Sequence, residues 1–136
     1  MSKATPQASA LSPRSKHGQG AASPTISKGQ QYERRAEQFL LSQGLTLLRR
    51  NYWCKLGEID LIMRDDHTLV FVEVRYRSQH YFGGAAASVT PAKQQKLRRA
   101  ALCYLQEQGI NESQQPCRFD LIAFEGEELH WLQNAF

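Results

Sequence analysis

GEIDLI at residues 57–62 and FVEVR at residues 71–75 are the two stretches that decide the fold of this chain. Each is an apolar run of a strand's length with an acid inside it, Asp60 in the first and Glu73 in the second. The polar triplet at residues 65–67 between them is typical of a hairpin turn. If the two strands pair as a hairpin, we expect the two acids to converge on one patch of the sheet.

The pattern on either side of this hairpin predicts an α/β domain. Apolar side chains at helical spacing predict a first helix that begins near Lys28 and ends at Gly44. Thr90 and Pro91 are typical of a helix start, and this second helix is long enough to connect two parallel strands. We therefore predict a mixed central β-sheet flanked by helices, in the order α-β-β-β-α-β-β. The predicted strands are residues 45–54, 58–64, 69–77, 118–124 and 128–132.

The charge of the chain is concentrated at its N-terminus. Residues 1–27 carry three basic residues and no acid, whereas residues 28–136 carry 14 basic residues against 13 acids. We predict a disordered basic tail over 1–27 and a single folded domain over 28–136. The composition of the tail also describes some organellar transit peptides, and that alternative stays open.

Two further features of the composition bear on location. No stretch approaches the roughly 20 apolar residues that a membrane span needs. The cysteines are odd in number and lack the spacing of a metal site, which favours a reducing compartment and a cytoplasmic location. We expect no association with a membrane.

The acids inside the strands indicate a metal site. Two neighbouring carboxylates in an apolar sheet repel each other and lose hydration, and a divalent cation such as Mg²⁺ offsets both costs. The alternative is that acids of these strands are solvated on a half-exposed sheet. This is the favoured interpretation for Glu58, which lies at the start of its strand. Helical geometry turns Glu33 towards the sheet and predicts that Glu37 faces solvent.

Four motifs together resemble the YraN family of bacterial proteins. That family is similar to archaeal Holliday-junction resolvases and to the restriction-endonuclease-like PD-(D/E)xK fold. The resemblance covers roughly residues 29–124 and implies that Glu33, Asp60 and Glu73 are catalytic acids that bind Mg²⁺, with Mn²⁺ as a substitute. The motifs are GEIDLI at 57–62, FVEVRYR at 71–77, TPAKQ at 90–94 and RFD at 118–120.

The chain departs from the family pattern at two positions. Arg75 stands where the family has its signature lysine; arginine can stabilise phosphate charge but cannot accept a proton. Tyr32 stands where the family usually has glycine. Lys93, at the start of the second helix, is a candidate to replace the missing lysine, and an ordinary surface role is an equal alternative.

Basic residues near the acids indicate a nucleic-acid surface. Tyr81 and Phe82 lie in the intervening loop, whereas Trp53 is expected in the core. For Arg98, an ordinary solvated charge is the favoured interpretation. The residues predicted to contact nucleic acid are Arg75, Arg77, Lys93, Lys96 and Arg99.

Three functions are compatible with these residues. The first is a Mg²⁺-dependent endonuclease that acts on DNA, branched or structured DNA included. The second is a non-cleaving nucleic-acid-binding module with a degenerate nuclease site, which Arg75 favours. The third is a protein-interaction scaffold. Cleavage of both strands of a junction would favour a symmetric homodimer.

Overall fold

The computed structural model describes residues 26–77 and 88–136. It contains the predicted order of elements, and each observed boundary lies within one or two residues of its predicted position. The predicted tail lies almost entirely outside the described residues and stays a prediction. The elements are α1 (Lys28–Ser42), β1 (Thr46–Cys54), β2 (Gly57–Asp65), β3 (Thr68–Arg77), α2 (Pro91–Glu107), β4 (Cys117–Glu125) and β5 (Glu128–Leu132).

The five strands form one mixed sheet in the order β1-β2-β3-β4-β5. β3 and β4 run parallel, and the other neighbours are antiparallel. The predicted mixed α/β architecture is therefore confirmed, as is the parallel pairing of the strands that α2 connects. This arrangement is consistent with a restriction-endonuclease-like fold.

The two faces of the sheet carry separate apolar cores. Leu69 and Phe71 pack with α2, whereas Val70 and Val72 pack with α1, because successive strand residues point to opposite faces. Burying one such side chain contributes about 1.5–3 kcal/mol. Burial on both faces explains why β3 reads as an almost unbroken apolar run, and why a charge within it needs compensation.

Both helices begin directly after a capping residue, and Thr90 is the cap that the sequence predicts for α2. Ser27 and Gln30 form a capping box at the start of α1. Thr90 accepts a hydrogen bond from the N–H of Lys93, and Pro91 occupies the first turn of α2. These caps fix the start of α2, and with it the position of Lys93. No helix among the described residues has the length and apolar character to cross a membrane.

The expected exposure of Glu37 is wrong. Its carboxylate is buried and accepts two hydrogen bonds from Arg50 of β1, at 2.7 Å and 3.0 Å. Helical periodicity places Glu37 away from the apolar stripe of α1, but it carries no information about a cation on a neighbouring strand. Arg50 supplies that cation, so the glutamate lies against the sheet.

Candidate metal centre

Asp60 and Glu73 lie where β2 and β3 stop pairing. The ladder between these strands runs from the turn to the Leu61–Val72 pair, and the next residues in register are Asp60 and Glu73. Beyond it, the N–H of Val74 donates to Oδ2 of Asp60 at 2.8 Å. A carboxylate thus takes the place of a backbone acceptor, which sets Asp60 beside Glu73 at the open end of the hairpin.

Burial raises the pKa values of both acids. Desolvation is the main cause for Asp60; together with the adjacent charge of Glu73, it raises the pKa of Asp60 to about 7. Burial also raises the pKa of Glu73, and the positive charges of Lys93 and Arg75 oppose that rise. At neutral pH, the pair therefore lacks enough positive charge for both carboxyl groups to ionise without cost.

Two cations stand next to Glu73. Lys93 Nζ lies 3.8 Å from Glu73 Oε2, and Arg75 Nε lies 3.2 Å from the same oxygen. Glu73 itself is 5% exposed. The Arg75 Nε–H is buried and has no hydrogen-bond acceptor among the described residues, so its contact with Glu73 is an ion pair only. Asp60, Glu73, Arg75 and Lys93 form the candidate site.

The paired carboxylates fit one divalent cation of the Mg²⁺ type. Mg²⁺ is commonly held by one or two protein carboxylates and keeps several waters. Here two carboxyl groups touch, and their raised pKa values mark a deficit of positive charge that a divalent cation would remove. Asp60 and Glu73 are the residues that would hold it.

Glu33 contacts Asn51 of β1. Its Oε1 accepts a hydrogen bond from Asn51 Nδ2 at 2.9 Å. Asn51 has a left-handed backbone with φ of 46° and lies between the Arg50–Leu61 and Tyr52–Ile59 pairs, beside Asp60 on β2. Within residues 26–77 and 88–136, no group of three or more His, Cys, Asp or Glu side chains is arranged to hold a metal ion. The predicted metal role of Glu33 thus stays a prediction.

Tyr32, the second departure from the family pattern, packs on the sheet. Its ring stacks on Tyr76 with centroids 4.3 Å apart and leans on Phe124 at 4.8 Å. Lys28 lies over the Tyr76 ring, at 4.6 Å. The tyrosine therefore has a packing role that anchors the start of α1 to β3.

The other residues predicted to contact nucleic acid lie on α2, except Arg77, which ends β3. Lys96 and Arg99 are exposed on α2, and Lys96 lines an open cavity together with Lys93. Arg98 is exposed and lies over the Phe119 ring at 5.4 Å, in agreement with an ordinary surface role. The side chain of Arg77, together with Tyr81 and Phe82, lies outside the described part of the chain.

Trp53 was expected in the core, and that expectation is wrong. Its side chain is 64% exposed, whereas Tyr52 and Cys54 on either side of it are buried. The signal was present in the sequence, because strict alternation along β1 turns Trp53 outward once its two neighbours point inward. Aromatic character alone was a poor guide at this position.

A second acidic cluster lies on β4 and has a structural character. Asp120 is fully buried and accepts hydrogen bonds from Arg118 Nε, from Trp131 Nε1 at 2.9 Å and from the Asn134 N–H at 2.9 Å. Arg118 also bonds Asp65 at 3.0 Å. The cluster ties β4 to β5 and to the end of β2, and the predicted pairing of Arg118 with Asp120 is confirmed.

Comparison with known proteins gives a consistent result. The model of the uncharacterised protein family UPF0102 matches residues 32–124. A UPF0102 protein of Aeromonas hydrophila is 60% identical over 110 residues, covering 81% of this chain and 85% of the relative. One from Nitrosomonas eutropha is 56% identical over 115 residues, covering 84% and 97%. The matched region holds the whole Asp60–Glu73 hairpin and α2, and the chain belongs to the UPF0102 family, also called YraN.

Proposed function

We propose that this protein is a Mg²⁺-dependent endonuclease that hydrolyses phosphodiester bonds in DNA. The observation that carries the proposal is the buried Asp60–Glu73 pair with Lys93 and Arg75 beside it. Paired carboxylates next to fixed cations suit a reaction in which negative charge builds on phosphorus.

Each residue has a defined part in this proposal. Asp60 and Glu73 hold the cation, and the Val74 N–H fixes the Asp60 carboxylate in place. Bound Mg²⁺ would supply an acidified water and neutralise charge on the phosphate. The guanidinium of Arg75, which pairs with Glu73, would help to offset negative charge on the phosphate. Lys93 takes the position of the family lysine from a different element, α2 in place of β3.

Calorimetric titration with Mn²⁺, followed by a cleavage panel, tests the proposal. Wild type should bind one Mn²⁺ and cut at least one substrate among linear, nicked and branched DNAs. Asp60→Asn should lose both properties, and Asp66→Asn, in an exposed acid of the β2–β3 turn, should lose neither. A wild-type protein that binds no Mn²⁺ and cuts no DNA would refute the nuclease.

Lys93 is tested separately from the metal. If it stabilises the charge on phosphate, Lys93→Ala should lower the single-turnover cleavage rate by about 10²–10³-fold. Mn²⁺ affinity should not fall, because the two carboxylates remain and a cation beside Glu73 is removed. Arg98→Ala removes an exposed cation from the same helix and should cut at the wild-type rate. Equal rates for the two variants would exclude Lys93.

A non-cleaving nucleic-acid-binding module is the second candidate, and Arg75 is the observation that favours it. Arginine at that position stays protonated and pairs with Glu73, so it leaves the site without a β3 proton acceptor. For such a module we expect salt-dependent DNA binding without cleavage. Asp60→Asn should then leave the affinity for DNA unchanged, and neither protein should cut.

A further inference from the structure

The tight turn between β1 and β2 presents two large apolar side chains to solvent. Trp53 is 64% exposed and Leu56 is 49% exposed. They border an open cavity of about 320 Å³, which is within the range of roughly 300–1,000 Å³ typical of ligand pockets. An aromatic and an aliphatic residue at the mouth of a cavity form a surface on which a flat apolar group can stack.

The rest of the cavity is charged and mainly positive. Lys55, Lys93 and Lys96 line it together with one acid, Glu58. Three cations against one carboxylate favour an anion that has an apolar part. A nucleotide within a strand combines a flat base with a phosphate, and this is the ligand chemistry that the cavity fits.

The turn is held in place by the helix beneath it. A Cβ on Gly57 would lie 2.9 Å from the backbone O of Lys96, so only glycine permits this close approach of the turn to α2. The Leu56 N–H also donates to Cys54 Sγ at 3.4 Å. The position of Trp53 relative to the lysines of α2 is therefore fixed by the fold.

One residue, Lys93, connects the cavity with the carboxylate pair. Lys93 lines the cavity, and its Nζ lies 3.8 Å from Glu73 Oε2. A strand whose phosphate is held by Lys93 thus has its neighbouring base within reach of the turn. A base inside a duplex is already stacked on both sides, so only an unpaired base is free to meet Trp53.

We propose that the Trp53–Leu56 turn stacks an unpaired nucleobase of the substrate strand and so directs the protein to nucleic acid with single-stranded segments. The inference rests on the proposed function for its class of ligand, nucleic acid. It adds the strand state that is recognised and the residue that recognises it. Trp53 acts as a binding residue outside the metal pair.

Binding without cleavage tests this inference. In EDTA, anisotropy of labelled oligonucleotides gives the affinity for oligodeoxythymidine, for oligouridine and for a blunt duplex of equal length. The two single strands distinguish DNA from RNA as the source of the base. Wild type should bind a single strand more tightly than the duplex, and the strand should quench tryptophan fluorescence.

Variants at Trp53 separate stacking from other effects. Trp53→Ala should weaken single-strand binding by about 5- to 150-fold, the range expected for loss of one base–aromatic stack. Trp53→Phe should bind within about threefold of wild type but lose the quenching, since a phenyl ring still stacks. Leu41→Ala removes an apolar residue of α1 that is 44% exposed, and this variant should bind as wild type.

Three results would overturn the inference. These are wild-type affinity in Trp53→Ala, equal binding of duplex and single strand, and a change of oligomeric state in Trp53→Ala, which would make the turn a contact between copies. The outcome is independent of cutting. A protein that stacks single strands but never cleaves retains the inference without the nuclease. A protein that cleaves DNA, but whose Trp53→Ala variant binds single strands with wild-type affinity, retains only the nuclease.

Discussion

Two acids of the same sheet, Asp60 and Asp120, are accommodated by opposite means. Asp120 is fully buried, and its two oxygens accept hydrogen bonds from Arg118, Trp131 and the Asn134 N–H. Asp60 accepts one backbone N–H and faces a second acid. Burial of an acid therefore does not by itself mark a site in this fold. A buried acid marks a candidate site when its neighbours leave it short of positive charge.

The largest expected effect is the loss of the Asp120 network. Asp120→Ala should lower the free energy of unfolding by roughly 3–5 kcal/mol, because it removes the acceptor of the Trp131 indole and leaves the half-buried Arg118 with only Asp65 as a partner. Urea unfolding followed by circular dichroism measures the change. Asp66→Asn is the control, because it changes an exposed turn acid to a residue that tolerates the left-handed backbone at this position. A loss below about 1 kcal/mol for Asp120→Ala would break the comparison.

The second prediction concerns the pH dependence of stability at Asp60. Its pKa is about 7 in the folded protein against an ordinary 3.8, so the folded state binds the proton more tightly than the unfolded chain. The contribution is fully present below pH 4 and is lost as pH rises to about 7. Without divalent metal, the contribution of Asp60 over this window amounts to about 2–4 kcal/mol.

Asp60→Asn separates the contribution of Asp60 to the pH dependence of stability from the contributions of all other titratable groups. The amide is neutral at every pH and its oxygen can still accept the Val74 N–H, so the variant should match wild type near pH 4 and exceed it at pH 8. Urea unfolding at the two pH values in EDTA gives the difference between the proteins. A variant that is less stable than wild type at pH 8 would show that Asp60 is compensated like Asp120.

The third prediction sharpens the comparison with metal. At pH 8, Mg²⁺ at 10 to 100 times its dissociation constant should stabilise wild type by about 1.4–2.7 kcal/mol, since a cation replaces the missing positive charge. The effect should vanish in Glu73→Gln. It should persist in Asp120→Ala, although that protein unfolds earlier. Thermal melts at constant ionic strength report both shifts, and equal shifts in all three proteins would exclude a site at Asp60 and Glu73.

The fold was accessible from sequence because each element has its own local signal. Alternation defines the strands, Thr90 and Pro91 define the start of α2, and the length of that helix allows the parallel return to β4. The approach of Asp60 to Glu73 followed from strand parity and from the position of the hairpin turn. These are short-range properties of the chain, which one sequence contains in full.

The failures involve partners from distant elements. Glu37 is buried because Arg50 lies across from it on β1. Trp53 failed for a different reason, since hydrophobicity was weighed above alternation. The site also recruits Lys93 from α2, which the resemblance to a family with lysine on β3 suggested only as a substitute.

The smallest expected effect concerns Glu37, whose compensation by positive charge is intermediate between that of Asp120 and that of Asp60. Like Asp120 it is buried and paired, but its partner Arg50 is 58% exposed. Solvent screens such a pair, so it should contribute about 1 kcal/mol or less. Glu37→Gln should therefore lower the free energy of unfolding by roughly that amount, and a double-mutant cycle with Arg50→Met should give a coupling of about 0.5–1 kcal/mol.

The coupling between Glu37 and Arg50 sets the scale for the other two acids. If urea unfolding gives a coupling near zero, one exposed cation is too little to compensate a buried carboxylate, and Glu37 would join Asp60 among the acids short of positive charge. A coupling that falls on addition of salt supports a screened surface pair. A salt-independent coupling as large as the effect of Asp120→Ala would instead show that a single arginine suffices to compensate a buried carboxylate. The deficit of positive charge at Asp60 and Glu73, which have two cations nearby, would then come from the presence of a second carboxylate.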